Sequence, residues 1–462
     1  HCDAPPGHPG GAFATSRSGY YLDVKIILSE GLSMMRRLLD RIASDDPLIR
    51  SMSYQSVLSA FGEGAFLTGS AVYFTQIVGL SAAQVGLGLT IGGGVTFLLS
   101  VPLGRAADAV GTRRTWILGS LLEAVLFGSW FLVGDFAGFV AVTIGLQLAG
   151  TWMRAGRNAY RFAVFPRTTR VRSLAYMRAA RNVGYTLGAL ASGLALAADS
   201  NALIRGVPLL TALLLLANTG WITRLPPLPD EDEPPTGEPS QTALEVAVAR
   251  AGKSGGALRN RGFVLMSTFD GILSTHQVLL NVVIPLWLVQ ETDAPRVLLA
   301  WLFGTNTVLA VGLQVAAARG VADVPSSLRA QRRGAACFVA SCGVVLITHD
   351  TVGWLTIVLI WVGHVTVTGA ELFQSAGQWG LQAELSDPRR RGEYQGVAQL
   401  GYTLGTVWAP AAYTYLAITH GALGWVVIGG IVLVAALGLH PAARSAERYL
   451  ERFGEAPART ST

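Results

Sequence analysis

Four ionisable side chains, Glu63, Arg154, Asp270 and Glu371, fall inside long apolar runs of this sequence. Placing such a group at the middle of a bilayer costs roughly 2.5–3.5 kcal/mol on insertion scales, so each has to face a cavity or a partner. Each also centres a polar stripe at helical spacing. Glu63 shares its face with Ser56, Ser59 and Ser70, and Arg154 with Thr143, Gln147, Thr151 and Asn158. Asp270 goes with Ser267, Ser274, Gln277 and Asn281, and Glu371 with His364, Thr368, Ser375 and Gln378. Steps of three, four and seven residues put each set on one side of one helix. The chemistry this predicts is exchange of a proton for a bound molecule on Glu63, Asp270 or Glu371, in one water-accessible cavity shared by the four faces. Glu123 falls outside the pattern; it is read either as a partner of an inner-loop arginine or as a marker of its span's depth.

Bond-making chemistry has no comparable support. His276 and His364 stand without a His-x-x-x-His, Gly-x-Ser-x-Gly or cysteine cluster beside them, and there is no Gly-x-x-x-x-Gly-Lys loop for a nucleotide. Cys2, Cys337 and Cys342 make neither a disulfide framework nor a zinc set. The last two lie in an apolar run and read as small core hydrophobes. The chain is read as a non-enzyme with no catalytic residue, no metal site and no cofactor.

Composition dictates the elements that carry these faces. Of 462 residues, 51% are hydrophobic and 14% charged, with a mean hydropathy of +0.43. Soluble domains carry about 25% charged residues, so this chain lacks a soluble protein's surface. Its hydrophobicity equally excludes disorder. What remains is an all-α protein crossing a membrane many times, and the 54 glycines suit helices packed closely in lipid. Apolar stretches of spanning length fall near 51–78, 82–104, 114–134, 136–158, 174–197, 203–223, 261–289, 296–318, 332–349, 352–380, 394–419 and 422–440.

With both termini placed in the cytoplasm, the basic residues collect on one side. Arg105, Arg113 and Arg114 lie between spans 2 and 3; Arg157, Arg161, Arg167, Arg170 and Arg172 are assigned between 4 and 5; Arg389, Arg390 and Arg391 lie between 10 and 11. Only Arg205 and Arg296 fall in predicted outer loops. Orientation in a membrane thus explains the formal charge of +6 without a nucleic-acid partner. The expected organisation is a cytoplasmic tail over 1–50, of which 1–33 read as an upstream extension or a disordered tail. A six-helix half over 51–224 follows, then a Pro-rich acidic linker over 225–260, a second six-helix half over 261–440 and a cytoplasmic tail over 441–462. The halves echo each other: Gly184-Tyr-Thr-Leu-Gly188 recurs as Gly401-Tyr-Thr-Leu-Gly405, small residues spaced for close helix contact.

Between spans 2 and 3 the text reads Gly104-Arg-Ala-Ala-Asp108-Ala-Val-Gly111-Thr-Arg113-Arg114. This resembles the signature of the major facilitator superfamily, and the resemblance extends over about 45–445. It implies two pseudo-symmetric six-helix halves rocking about a central site. It also implies that Asp108 sits against the start of helix 11, where the helix dipole favours an anion. Gly104 and Gly111 would permit a tight reversal and close approach, and Arg113 and Arg114 would pair with acids or lipid headgroups. The second copy, from Arg319 through Asp323 to Arg332-Arg333, is stretched. Around span 10, Ala370-Glu-Leu-Phe-Gln-Ser-Ala and Glu384 through Gly396 resemble bacterial drug:proton antiporters. Two places depart from that pattern: position 144 is Ile with Leu148 after Gln147, and span 5 reads Gly188-Ala-Leu-Ala-Ser-Gly193.

The resulting expectation is a monomeric secondary transporter of the plasma membrane that exports a small, largely apolar molecule against a proton gradient. Gly184, Gly188, Gly401 and Gly405 would act as close-contact hinges. Proton-coupled uptake of a nutrient and a non-transporting sensor are the alternatives.

Overall fold

The computed structural model describes residues 44–198, 201–228 and 256–453. Positions 1–43, 229–255 and 454–462, which hold most of the expected tails and linker, lie outside them. Local chemistry sets the helix starts. Asp46 accepts the amides of Leu48 and Ile49 to open α1, Pro47–Val72, which runs on through a π-helical turn at Tyr73–Ile77. Ser81 and Gln84 form a reciprocal cap on α2, Ala82–Val110. Gly111, at φ 94°, turns the chain directly into α3, Thr112–Ser129. Asp135 caps α4, Phe136–Val164, and Pro166 precedes α5, Arg167–Ala197, and then α6, Asn201–Ile222.

The second half repeats the plan. Asn260 caps α7, Arg261–Glu291, which changes pitch at Ser274–Thr275 and again in a π-helical turn at Leu279–Val283. Then come α8, Leu298–Ala317, α9, Val324–Ile347, and α10, Trp354–Glu384. The last run, Arg391–Phe453, is broken at Gly421 (φ 51°), which separates α11 (391–420) from α12 (422–453). Among the described residues nine stretches meet the length and apolarity of a membrane span, the last of them holding both α11 and α12. The two helices that fall short, α1 and α5, carry much of the polar machinery described below. The described residues thus follow the twelve-helix, two-half order expected.

Several boundaries differ from expectation, and the shifts move arginines. The fourth helix continues to Val164, so Arg157 and Arg161 stand on it and not in a loop. The fifth begins at Arg167 and the ninth at Val324, which brings Arg170, Arg172, Arg329, Arg332 and Arg333 onto helices. The stretch expected as a tail from 441 is helical as far as Phe453, in continuation of α12.

Within the first half α1 packs on α5 and α6, and α4 on α2 and α3; within the second, α7 packs on α11 and α9 on α10. The repeated pentapeptide makes the same joint in both. Gly184 and Gly188 lie against the α1 backbone at Val57 and Phe61, Gly401 and Gly405 against the α7 backbone at Ser267 and Gly271. These glycines therefore join helices inside each half. The halves themselves meet through α2 on α11 and α5 on α8.

Candidate functional site

Between the halves lies a chamber of about 670 Å³. Its walls come from α4, α5, α7, α10 and α11, with Ser100 of α2 at the base. Helix α1, expected as one of four lining faces, contributes no wall residue. Its polar side instead meets, from behind, the arginines that line the chamber. Glu63 accepts from Arg181 Nη2 at 2.7 Å, from the Tyr185 hydroxyl at 2.5 Å and from Ser59 at 3.2 Å. Ser56 accepts from Arg161 at 3.1 Å.

Five guanidiniums line the chamber: Arg154, Arg157 and Arg161 from α4, Arg178 and Arg181 from α5. Spacings of three and four residues put each set on one helix face. Arg154 donates to Thr151 at 2.9 Å, and its tip and the Glu123 carboxylate flank Gly150. Arg161 also lies over the Trp116 ring, 5.6 Å from its centroid. Arg178 pairs with Glu371 at 3.0 Å, and Asn306 of α8 adds a donor to the same carboxylate at 3.2 Å. Arg157 is 6% exposed and has no hydrogen-bond or ion-pair partner among the described residues.

Opposite, Asp270 sits just behind a wall of amides. It accepts from Gln331 at 2.7 Å, Gln374 at 2.8 Å and Gln378 at 2.6 Å, so three neutral donors from α9 and α10 satisfy a carboxylate that lacks a cation. Gln374 also donates to Ser274 and meets His276 at 3.4 Å. Gln277, Asn281, Ser375 and Gln378 reach the chamber directly. Besides Glu63 and Asp270, two more residues expected in the cavity, Gln147 and His364, do not line it. Gln147 packs against Gly92 at the α2–α4 contact. His364 is buried at 1% exposure, away from the lining.

The sequence reading passed over Arg178, Arg181, Tyr185, Asn306, Gln331 and Gln374, and placed Arg157 and Arg161 in a loop. The signal for some was present. Arg178, Arg181 and Tyr185 keep the same three-and-four spacing that identified the other faces, and Gln374 stands between Glu371 and Gln378 on theirs. Gln331 and Asn306 belong to no stripe, and only the packing of α8 and α9 brings them in.

The chamber is sealed at the end that carries the α2–α3, α4–α5 and α10–α11 loops. Asp108 accepts the backbone amides of Gly392 at 2.6 Å and Glu393 at 2.8 Å, the first turn of α11. Gly104 touches the backbone at Gly392, and Gly396 that at Ser100. Arg105 pairs with Glu393 at 3.0 Å, and Glu384 with Arg167 at 2.5 Å and Arg170 at 3.5 Å. Val171 and Ala175 of α5 pack with Ala318 and Val321 just beyond α8. Asn158 donates to Gln395 at 3.2 Å across the floor. Arg113 donates to the Thr223 carbonyl at the end of α6, an acceptor the sequence reading had not considered, and Arg114 is exposed. In the stretched second copy Asp323 caps its own helix, accepting from the Ser326 amide, and the Ser326 hydrogen bonds hold its carboxyl below the usual carboxylate range.

Two helical halves around a polar chamber, closed at one end, are the build of a membrane carrier. The profile of the Major Facilitator Superfamily matches residues 53–410, and the chain belongs to this superfamily of small-molecule transporters. Among solved structures it is similar to the human organic anion transporter MFSD10 (TETRAN), at 15% identity and TM-score 0.59 over 86% of this chain and 100% of that one. It is similar also to FucP in its outward conformation, at 14% identity and TM-score 0.61 over 86% and 98%. The proton:xylose symporter XylE matches at 13% identity and TM-score 0.60 over 86% and 96%. At these identities the likeness is one of fold. No curated protein matches the chain in sequence.

Proposed function

We propose that the chain is a proton-coupled secondary transporter that moves a small polar solute by alternating access. One observation carries this reading. A polar chamber lies between two halves, and the close contacts named above between them gather at its Arg-rich end. Breaking that set while the opposite ends approach would turn the chamber over. The amide- and guanidinium-rich lining favours a polar cargo over the largely apolar one expected from sequence. Glu371, on the wall, and Glu63, behind it, are the proton sites we propose.

The antiporter-like residues around α10 suggest export. The pairing of Glu371 with Arg178 and of Glu63 with Arg181 favours the second reading, in which cargo and proton travel together, because protonating either acid releases an arginine toward the chamber. The test of alternation needs no cargo. With Cys2, Cys337 and Cys342 replaced by serine, Ser375→Cys should react with an impermeant maleimide from both faces of oriented membranes. Joining Arg105→Cys to Glu393→Cys with a bis-maleimide should abolish labelling from the Arg-rich face and spare the other. A Ser375→Cys thiol reachable from neither face would refute transport.

A further inference from the structure

We infer that the cargo is a small organic anion, whose carboxylate, phosphate or sulfonate head is held at Arg157 between Arg161 and Arg181. This proposal rests on the transport reading and names its substrate class. The chamber wall carries five guanidiniums and one carboxylate, Glu371. Counting the acids that stand behind the wall, Glu63, Glu123 and Asp270, still leaves the balance positive. The distribution matters more than the sum. Among the described residues Arg178 and Arg181 each have a carboxylate, while Arg157 has no acceptor and Arg161 has only the Ser56 hydroxyl and the Trp116 face.

A largely buried guanidinium whose Nε is shut away without an acceptor is a costly arrangement for a structural residue. Replacing it with an apolar side chain would suit packing better. As one side of an anion site it is what the chemistry requires, because its planar fork takes an oxyanion by two parallel hydrogen bonds. The charged groups around Arg157 are Glu63 on α1, Glu123 on α3, Arg154 and Arg161 on its own helix and Arg181 on α5. Repulsion among Arg157, Arg161 and Arg181 is relieved by one incoming negative charge and worsened by a cation. Across the chamber His276, Gln277, Gln374 and Asn281 offer hydrogen-bonding groups without net charge, which suits a cargo with a polar body. A chamber of about 670 Å³ admits a molecule of drug-like size.

The probe is 5-carboxyfluorescein, an organic anion, set against rhodamine 123, a cation on the same ring frame. Binding is read by fluorescence anisotropy to the full chain in nanodiscs of neutral phosphatidylcholine, so that no anionic lipid head can occupy the site. The expected result is saturable binding of carboxyfluorescein and none of rhodamine 123. Displacement by benzoate or by inorganic phosphate reports which head group the site prefers, and either supports the proposal. Arg157→Gln should weaken carboxyfluorescein binding by about tenfold or more, the scale of one charge-assisted contact. Arg157→Lys, which keeps the charge, should lose less, and Arg205→Gln, outside the chamber, should match the parent. Size-exclusion profiles identify any variant that fails to fold, in which case Arg161→Gln replaces it.

Preference for rhodamine 123, or carboxyfluorescein affinity within twofold of the parent in both arginine variants, would overturn the proposal. The two layers fail separately. Alternating cysteine access without carboxyfluorescein binding sinks the anion site and leaves transport standing. Carboxyfluorescein binding without alternating access leaves the site and sinks transport.

Discussion

Asp108 supplies acceptors that the first turn of α11 lacks. The opening amides of a helix have no partner within it, and here two of them find both oxygens of one carboxylate in the other half of the molecule. Hydrogen bonds to a charged group contribute about 1.5–3 kcal/mol each. Removing both should shift the balance between sealed and open forms by at least tenfold, which about 1.4 kcal/mol produces. We therefore expect Asp108→Ala to raise the reactivity of Gln395→Cys, on the chamber floor, toward a maleimide added from the Arg-rich face by at least about tenfold. Asp108→Asn keeps one acceptor oxygen and should fall between. An unchanged labelling rate in Asp108→Ala would mean that Arg105–Glu393 and the Glu384 pairs hold the seal without it. The role of this aspartate was legible because its spacing from Gly104 and Gly111 resembles a known signature. Its neighbour Glu393, which accepts from Arg105 and from the Ala257 amide, has no such spacing and needed the fold to reveal it.

At the scale of the helix, periodicity tells that a side is polar but not what that side meets. The stripes on α4, α7 and α10 do reach the chamber. That on α1 is just as regular, yet it faces the arginines of α4 and α5 from behind, since Gly184 and Gly188 let α5 slide in front of it. Arginine was the other source of misplacement. A rule that assigns basic residues to loops ends a span wherever one occurs, so Arg157 and Arg161 were moved out of the fourth helix, and Arg178 and Arg181 went unnoticed within the fifth. These are the residues on which the proposed site depends. The helix order itself was legible, because apolar length depends on composition alone. The glycine joints make a separate prediction. A methyl group at Gly188 or Gly405 meets the backbone of α1 or α7, whereas one at Gly193 meets open space. Overpacking of this kind costs about 1–3 kcal/mol. Gly188→Ala and Gly405→Ala should each lower the melting midpoint in detergent by several degrees, with Gly193→Ala close to the parent. Equal midpoints for all three would show that the helices can part without penalty.

For the molecule as a whole, the ion pairs bear on the sign of the proposed proton coupling. Glu371 faces Arg178 of α5, Asn306 of α8 and His276 of α7, and Glu63 faces Arg181 and Tyr185 of α5 with Arg154 and Arg157 of α4 behind. An anionic cargo and these carboxylates compete for the same guanidiniums. A proton on the acid withdraws one competitor, so it strengthens cargo binding, and by linkage the cargo strengthens proton binding to the same degree. Cargo and proton should then cross together, the opposite of the exchange that a cationic cargo would impose. In proteoliposomes, an acidic exterior should accelerate 5-carboxyfluorescein entry severalfold over the rate without a gradient, and an alkaline exterior should slow it. Glu371→Gln leaves Arg178 permanently free of its acid. It should keep dye exchange across the membrane at equal pH while losing most of the acceleration. Faster entry from an alkaline exterior would establish exchange and restore export as the direction, with the anion site intact. Equal entry at every gradient would remove the proton from the mechanism.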